Sequence, residues 1–256
     1  MGLHSGEPVA VRLLPAPLGC GLVFVVSGRE VPAELSHAAP VPGATTLRTR
    51  GAVVQTPEHL LSACRGVGVA DLRIELTAEE LPALDGGARV WMEELVEGEL
   101  LDQGAWDAVA IEPGKAVCHG GEVELVALGP GERGSVTVEV DFPQGPYGTA
   151  TWDGTVDGYR QVVAWARTFV MEDQVEALRL AGRGRGADPH NTAVVPRRRR
   201  SATEDPLARE AVAHKLLDAV GDLALVPPLA AHVVVRRGSH RVHVDGLREL
   251  LRPRAQ

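Results

Sequence analysis

The chain has 256 residues, of which 45% are hydrophobic, and carries a formal net charge of -8 at pH 7. This length and apolar content allow one large or two modest globular domains and exclude an intrinsically disordered chain. The negative charge argues against nucleic acid or an anionic membrane surface as the main partner.

The first half of the chain predicts short strands, a hairpin and two helices. In chain order these are short strands within residues 8–26, a hairpin within 30–55, a helix opening at 56–58, a strand at 71–76 and a helix at 89–102. Thr56 is predicted as the N-cap of the first helix and Pro57 as its first residue. Gly66 and Gly68 are expected to end that helix.

The second half predicts a run of strands followed by helices. The strands are expected at 107–112, 115–119, 122–128 and 134–141, helices at 156–166 and 171–180, a long helix at 207–225, a strand at 233–235, and a final strand and helix within 242–251. A Gly/Arg-rich stretch at 182–190 predicts a flexible loop. The four arginines at 197–200 predict a solvated face or a mobile loop.

A short internal similarity suggests that the two halves are related. His59-Leu-Leu-Ser-Ala-Cys-Arg-Gly-Val and His214-Lys-Leu-Leu-Asp-Ala-Val-Gly-Asp each begin a predicted helix with histidine, and a strand follows each helix. We therefore expect two similar α+β units, 1–104 and 105–256, each contributing one helix to a shared cleft.

The spacing of His214 and Asp218 predicts a metal site. Residues four apart lie on one face of a helix, one turn from each other, so an imidazole and a carboxylate can bind the same ion. His59 could add a third ligand and the adjacent Glu58 a base, which is the pattern of a catalytic zinc site. The alternative is an ordinary solvated pair on a helix surface. Leucines and a valine beside the pair favour burial, where an unpaired charge is costly.

The remaining candidates are weaker when each is considered alone. Glu58-His59 is also what an ordinary helix N-terminus contains, and His240 follows Gly238-Ser239 in what reads as a surface loop. No H-E-x-x-H motif of the common metalloproteases occurs. The three cysteines, Cys20, Cys64 and Cys118, include no C-x-x-C pair, so neither a disulfide framework nor a thiolate zinc site is indicated.

No secretory signal and no apolar run near the ~20 residues of a membrane helix is visible. We expect a cytoplasmic protein without stable membrane insertion, and a monomer.

Seven segments, in this order, give the chain a resemblance to a known family. They are Gly2-Leu3-His4-Ser5-Gly6, Thr56-Pro57-Glu58-His59-Leu60-Leu61-Ser62-Ala63, Glu80-Leu81-Pro82-Ala83-Leu84-Asp85-Gly86, Asp141-Phe142-Pro143, Ala166-Arg167-Thr168-Phe169, His214-Lys215-Leu216-Leu217-Asp218-Ala219-Val220-Gly221-Asp222-Leu223 and Gly238-Ser239-His240. Together they resemble the zinc-dependent UDP-3-O-acyl-N-acetylglucosamine deacetylases of lipid A biosynthesis, almost from end to end. The joint occurrence of several ordered motifs is far more specific than a single one.

The resemblance implies a fold, a reaction and a set of residue roles. The implied fold is two α+β domains, each a sheet packed against helices, with Zn²⁺ in the cleft between them. The implied reaction converts a nucleotide-sugar lipid, a small-molecule substrate, to the free amine and acetate. The implied roles are zinc ligand for His59, His214 and Asp218, general base for Glu58, general acid for His240, its orienting carboxylate for Asp222, oxyanion contact for Thr168, and substrate contact for Lys215 and Phe169.

One segment departs from the family pattern. Where the family has G-L-x-x-G-G-S, in an insert that helps to form an apolar passage for the acyl chain, this chain has Gly182-Arg183-Gly184-Arg185-Gly186-Ala187-Asp188. The chain also begins later than the pattern, which predicts a missing first strand, and its hairpin before Thr56 is shorter. Two alternatives stay open: a deacetylase of the same mechanism whose sugar has a short or absent acyl chain, and a non-catalytic homologue that binds a nucleotide sugar or lipid.

Overall fold

A four-stranded sheet with two helices forms the N-terminal part of the computed structural model, which describes residues 1–98, 100–102, 104 and 108–252. Its strands are β1 (Val11–Pro15), β2 (Leu22–Val26), β3 (Arg29–Pro32) and β6 (Leu72–Leu76), in the order β1-β6-β2-β3. A hairpin of β4 (Thr46–Thr49) and β5 (Ala52–Gln55) precedes helix α1 (Glu58–Val67), and α2 (Arg89–Glu97) follows β6. Phe24 and Ile74 of the sheet share one core with Leu60, Leu61 and Trp91 of the helices.

A six-stranded sheet and two longer helices form the C-terminal part. Its strands are β7 (Gly114–Cys118), β8 (Gly121–Ala127), β9 (Ser135–Asp141), β10 (Pro146–Trp152), β13 (Arg200–Ser201) and β14 (Ala231–Arg236), in the order β13-β10-β9-β14-β8-β7. Helix α5 (Pro206–Leu223) packs on β9 and β10, and α6 (His240–Leu250) on β7 and β8.

A smaller group of elements connects β10 to α5. It consists of α3 (Val156–Gly158), a π-helical turn (Tyr159–Val163), the parallel pair β11 (Thr168–Met171) and β12 (Thr192–Val195), and α4 (Val175–Leu180).

The two sheets repeat one strand pattern. In β1-β6-β2-β3 the neighbours are antiparallel, parallel and antiparallel, and β8-β14-β9-β10 has the same three relationships. In the N-terminal half, helix α1 precedes strand β6 and α2 follows it. In the C-terminal half, α5 precedes β14 and α6 follows it in the same way. The fold is therefore α+β with two similar units, as predicted. The boundary between residues 104 and 105 stays a prediction, since residues 105–107 lie outside the described part.

Helices α1 and α5 join the two halves at a glycine. A Cβ atom added to Gly221 of α5 would lie 2.2 Å from the backbone oxygen of Glu58 in α1. That distance is far below van der Waals contact, so only glycine lets the two helices approach so closely. The contact places the start of α1 beside the middle of α5.

The predicted start and end of helix α1 are wrong in two details. Thr56 does not cap α1, because its hydroxyl donates to the carbonyl of Gln55 and Pro57 occupies the N-cap position. Gly68, with φ of 80°, ends the helix. Gly66 lies inside it, where a Cβ would be 2.4 Å from the Tyr159 ring.

Two further predicted helices, one in each half, also differ from the structure. Helix α2 ends at Glu97 rather than at 102, and the helix expected at 156–166 is only α3 and its π turn. No strand occupies the described residues of 107–112, where Val109 makes one isolated bridge to Leu229, and residue 107 lies outside the described part.

Two predictions about the last third of the chain are corrected as well. Residues 242–251 contain no strand, because α6 starts at His240. His214 lies in the middle of α5 rather than at its start. Strands β3, β10, β11, β12 and β13 have no counterpart in the prediction.

The arginine run at 197–200 is not a purely solvated face. Arg197 pairs with Asp173, Arg199 with Asp141, and Arg200 with Asp205. These pairs tie the segment to elements on either side of it. Within the described residues, no helix combines the length and apolar character needed to cross a membrane.

Candidate metal centre and catalytic cleft

The structure brings together the three residues predicted as metal ligands. His59 comes from α1, and His214 and Asp218 from successive turns of α5. Their candidate donor atoms all lie within 4.8 Å of one another. His214 Nε2 is 3.3 Å from Asp218 Oδ1, and the rings of His59 and His214 meet edge to face with centroids 5.1 Å apart. Three donors converging in this way suit a tetrahedral ion with one open position.

Neighbouring groups orient these donors. His214 Nδ1 donates to the carbonyl oxygen of Ala166 at 3.0 Å, which leaves Nε2 free to ligate. Burial lowers the pKa of His59 to about 3 and also lowers that of His214, so both rings are neutral. Burial alone would raise the pKa of Asp218, but the ammonium of Lys215, whose Nζ lies 2.7 Å from Oδ2, helps to hold it well below its usual range. Two neutral imidazoles and an ionised carboxylate fit a divalent cation.

Glu58 and His240 face each other beside this triad. His240 Nε2 is 4.0 Å from Glu58 Oε1 and 3.8 Å from Asp218 Oδ2. Burial raises the pKa of Glu58 to about 8. Burial would lower the pKa of His240, but the charges of Asp222 and Asp218 outweigh it and raise the value to about 9. The site therefore holds a carboxyl group that gains a proton easily and an imidazolium that keeps one.

Asp222 lies behind His240 and is fully buried. Its Oδ2 accepts a hydrogen bond from His240 Nδ1 at 2.8 Å and another from His243 Nδ1 at 2.7 Å. The hydroxyl of Thr45 donates to its Oδ1 at 2.6 Å, and the backbone N–H of Thr45 donates to Glu58 Oε2 at 3.2 Å. Thr45 therefore links Glu58, the predicted base, to Asp222, the carboxylate that supports the predicted acid His240.

The sequence interpretation missed Thr45 and His243. His243 follows His240 by three residues and so shares its face of a helix, a signal that was hidden because no helix was predicted to begin at 240. Thr45 lies 177 residues from Asp222 along the chain, and no local pattern relates the two.

The triad opens into a cleft of about 480 Å³. Thr168, Phe169 and Lys215 line it, together with Glu58 and His240. Phe169 packs edge to face on His214, with ring centroids 6.0 Å apart. All predicted site residues thus lie in the cleft wall except Asp222, which supports His240 from behind.

The segment that departs from the family pattern lies against the far wall of the cleft. Arg183 donates to the carbonyl of Pro42 at 2.9 Å and contacts His4 Nε2 at 2.8 Å, and both partners line the cleft. Arg185 is exposed, and its backbone N–H donates to His4 O at 3.3 Å. Neither arginine lines the cleft itself.

Comparison with known proteins assigns the chain to a family. The family model described as LpxC, UDP-3-O-acyl N-acetylglycosamine deacetylase, matches residues 1–252. A relative from Thermosynechococcus vestitus is 35% identical over 99% of this chain and 90% of its own length. Relatives from Solibacter usitatus and Synechocystis are each 32% identical, over 95% and 96% of this chain and 84% and 92% of their own lengths. All three bear the name UDP-3-O-acyl-N-acetylglucosamine deacetylase. The resemblance read from the motifs is confirmed, and the chain belongs to the UDP-3-O-acyl-N-acetylglucosamine deacetylase family.

Proposed function

We propose that this protein is a zinc-dependent hydrolase that removes the acetyl group of UDP-3-O-acyl-N-acetylglucosamine, a step of lipid A biosynthesis. The observation that carries the proposal is the meeting, in one cleft, of a donor triad, a buried carboxyl group and a buried imidazolium within 4.0 Å of it. Its products are acetate and the free amine. We also infer that it works in the cytoplasm, as a monomer, with domains at 1–104 and 105–256.

The metal ligands are His59, His214 and Asp218. Zinc bound there supplies a Lewis acid that lowers the pKa of water toward ~7 and polarises the acetamide carbonyl. The carbonyl of Ala166 and the ammonium of Lys215 keep two of the ligands in the protonation state and orientation that ligation requires.

Glu58 and His240 divide the proton transfers of amide hydrolysis. Glu58, in its ionised form, takes a proton from the water that attacks the carbonyl carbon. His240 gives the proton on Nε2 to the departing nitrogen, while Asp222 holds the proton on Nδ1. The 4.0 Å separation of the two side chains lets both reach the same acetamide group.

Thr168, Lys215 and Phe169 contact the substrate around the reacting amide. The Thr168 hydroxyl donates to the oxyanion that develops on the carbonyl oxygen, a type of contact that typically contributes several kcal/mol. Phe169 offers an apolar ring to the sugar and acyl chain, beside the ring of Phe142. Lys215 carries positive charge into the cleft, where the UDP diphosphate is anionic.

A second candidate substrate has a short acyl chain or none. The contacts of Arg183 with Pro42 and His4 favour it, since they place a charged group against the wall where the family pattern has an apolar side chain. A purely binding homologue is disfavoured, because binding alone does not need a buried Glu58 opposite a cationic His240.

The test is deacetylation of UDP-N-acetylglucosamine and its 3-O-acyl derivatives by zinc-loaded protein, with the free amine measured by mass spectrometry. We expect turnover of the acylated sugar, and turnover slower by roughly 10²-fold or more with Glu58→Gln, which retains the metal site. If no derivative is converted by metal-loaded wild type, or if Glu58→Gln is equally active, the proposal fails. Turnover limited to short chains would favour the second candidate.

A further inference from the structure

A second buried histidine, His243, lies next to the site and has no part in the chemistry above. It is 2% exposed and sits in α6 one turn after His240. His240 lines the cleft, whereas His243 is not among the lining residues. A buried imidazole is costly unless its polar atoms are bonded, so its position calls for an explanation.

The ring of His243 is a neutral hydrogen-bond donor directed at Asp222. Burial would raise the pKa of Asp222, but the charge of His240 and the hydrogen bonds from His240 and His243 together lower it to about 2, so this carboxylate is ionised and only accepts. The Nδ1 atom of His243, 2.7 Å from Asp222 Oδ2, must therefore carry the hydrogen. Burial lowers the pKa of His243, and among the described residues its Nε2 has no hydrogen-bond partner.

Close packing holds the ring in this orientation. A Cβ on Gly238 would lie 2.5 Å from His243 Nε2 and 2.5 Å from Val235 Cγ1. The absence of a side chain at Gly238 thus leaves the space that the far edge of the imidazole occupies. Because the packing confines the ring, it loses little further conformational entropy when its Nδ1–H donates to Asp222.

Asp222 is consequently held by three donors on two oxygens. Oδ1 is fixed by Thr45, and Oδ2 is shared by His240 and His243. Without His243, Thr45 would still hold Oδ1 but only His240 would bind Oδ2, so the Oδ2 end of the carboxylate could shift together with the catalytic imidazole. Donors that fix a supporting carboxylate are as much a part of such sites as the groups that touch substrate.

We propose that His243 is a positioning residue for the deacetylation reaction: by holding Asp222 Oδ2 it keeps His240 aimed at the departing nitrogen. The inference rests on the proposed function for its kinetic readout. His243 touches neither substrate nor metal ligands, so its loss should affect kcat and leave KM and metal content unchanged.

Three substitutions separate positioning from packing. His243→Asn places its side-chain N–H where Nδ1 of the imidazole stands, His243→Gln places it one bond further out, and His243→Leu removes it. We expect His243→Leu to lower kcat about tenfold or more, in line with the loss of supporting groups in metal sites. His243→Asn should stay within about threefold of wild type, which is ~0.7 kcal/mol of barrier. Should His243→Leu not fold, the comparison of His243→Asn with His243→Gln carries the test, and His243→Gln should be the slower enzyme.

The inference is overturned if His243→Leu keeps near-normal kcat, or if His243→Asn is as slow as His243→Leu. In the Asn/Gln comparison, equal rates for the two variants would overturn it.

A nuclear magnetic resonance measurement gives an answer independent of turnover. We expect two strongly downfield ring Nδ1–H protons in wild type, from His240 and His243, and a shift of the His240 signal in His243→Leu. If wild type lacks activity but shows both signals and this shift, the proposed function fails while the arrangement around Asp222 stands. An unshifted His240 signal would refute the link between the two histidines.

Discussion

The two ends of the cleft are built differently. At the catalytic end, Glu58, Asp218 and Asp222 are buried, and neighbouring polar groups bond each carboxylate. At the far end, residues 182–188 are half-buried or exposed, with none fully buried, and attach to residues 2–6 through backbone hydrogen bonds and Arg183. Buried polar networks tolerate little change, because each lost partner leaves a buried group unsatisfied. The comparison indicates a constrained reaction centre beside a substrate wall that can vary.

The largest effect should come from removing a metal ligand. His214→Ala or Asp218→Ala takes away one of three donors, and we expect affinity for zinc to fall by orders of magnitude, with activity lost. Metal content after dialysis measures this. His190→Ala and Asp157→Ala, at exposed positions, serve as matched controls and should retain the metal. If His214→Ala and Asp218→Ala stay fully loaded, the ligand assignment is wrong.

Removal of the general acid or the general base should have the second-largest effect. Glu58→Gln and His240→Ala should keep the metal and each lose roughly 10²-fold or more in kcat. Assays with metal-loaded variants distinguish this from loss of the ion. A His240→Ala enzyme with near-normal turnover would mean that another group supplies the proton.

The pH profile of kcat/KM should be bell-shaped. His240 acts only when protonated, so the rate should fall as the pH rises through its pKa, which lies near 9. Glu58 acts only when ionised, so the rate should fall as the pH drops through its pKa. The charge of zinc favours the ionised carboxylate and disfavours the imidazolium, so it should move both limbs below the values of about 8 and about 9 that hold without the ion. An unchanged basic limb in His240→Ala would contradict this assignment.

A smaller effect should follow from separating α1 and α5. Gly221→Ala adds a methyl group 2.2 Å from the Glu58 backbone oxygen, and overpacking of this kind typically costs ~1–3 kcal/mol. We expect a lower Tm and reduced metal affinity, since the two helices supply different ligands. Gly98→Ala, where the added atom would be 3.4 Å from its nearest neighbours, is the control. Equal stability of both variants would show that the contact is not tight.

The smallest effect should come from substitutions in the segment 182–188, which lies against the far wall of the cleft. Arg183→Leu with Arg185→Leu should raise kcat/KM for long-chain relative to short-chain substrate slightly, because it removes the charge held behind the wall residues Pro42 and His4 without placing new apolar surface in the cleft. The ratio of the two kcat/KM values measures this. If wild type already discriminates strongly by chain length and the double variant gains nothing, the acyl chain is bound elsewhere.

Sequence patterns predicted those parts of the site and fold whose residues lie close together in the chain. His214 and Asp218 are one helical turn apart, and the helix that carries them is long and regular, so spacing alone placed them together. The hairpin at 46–55 and the strand β6 were likewise marked by turn glycine and alternation.

The features that the sequence patterns missed depend on contacts between residues that are far apart in the chain. Residues 164–167 leave the helical conformation predicted for 156–166, and the carbonyl of Ala166 is thereby available to His214. Strand β10 contains Pro146 and Gly148, which weaken any strand signal, and its pairing with β9 supplies the missing stabilisation. Thr45 reaches Asp222 only because the hairpin and α5 are packed together.

The most direct test of the central claim is deacetylase activity measured as zinc is added back to metal-free protein. We expect that activity rises in proportion to bound zinc, reaches its maximum at one ion per chain, and does not rise in Asp218→Ala. Activity that is unchanged by complete removal of metal, or that persists in Asp218→Ala, would contradict it.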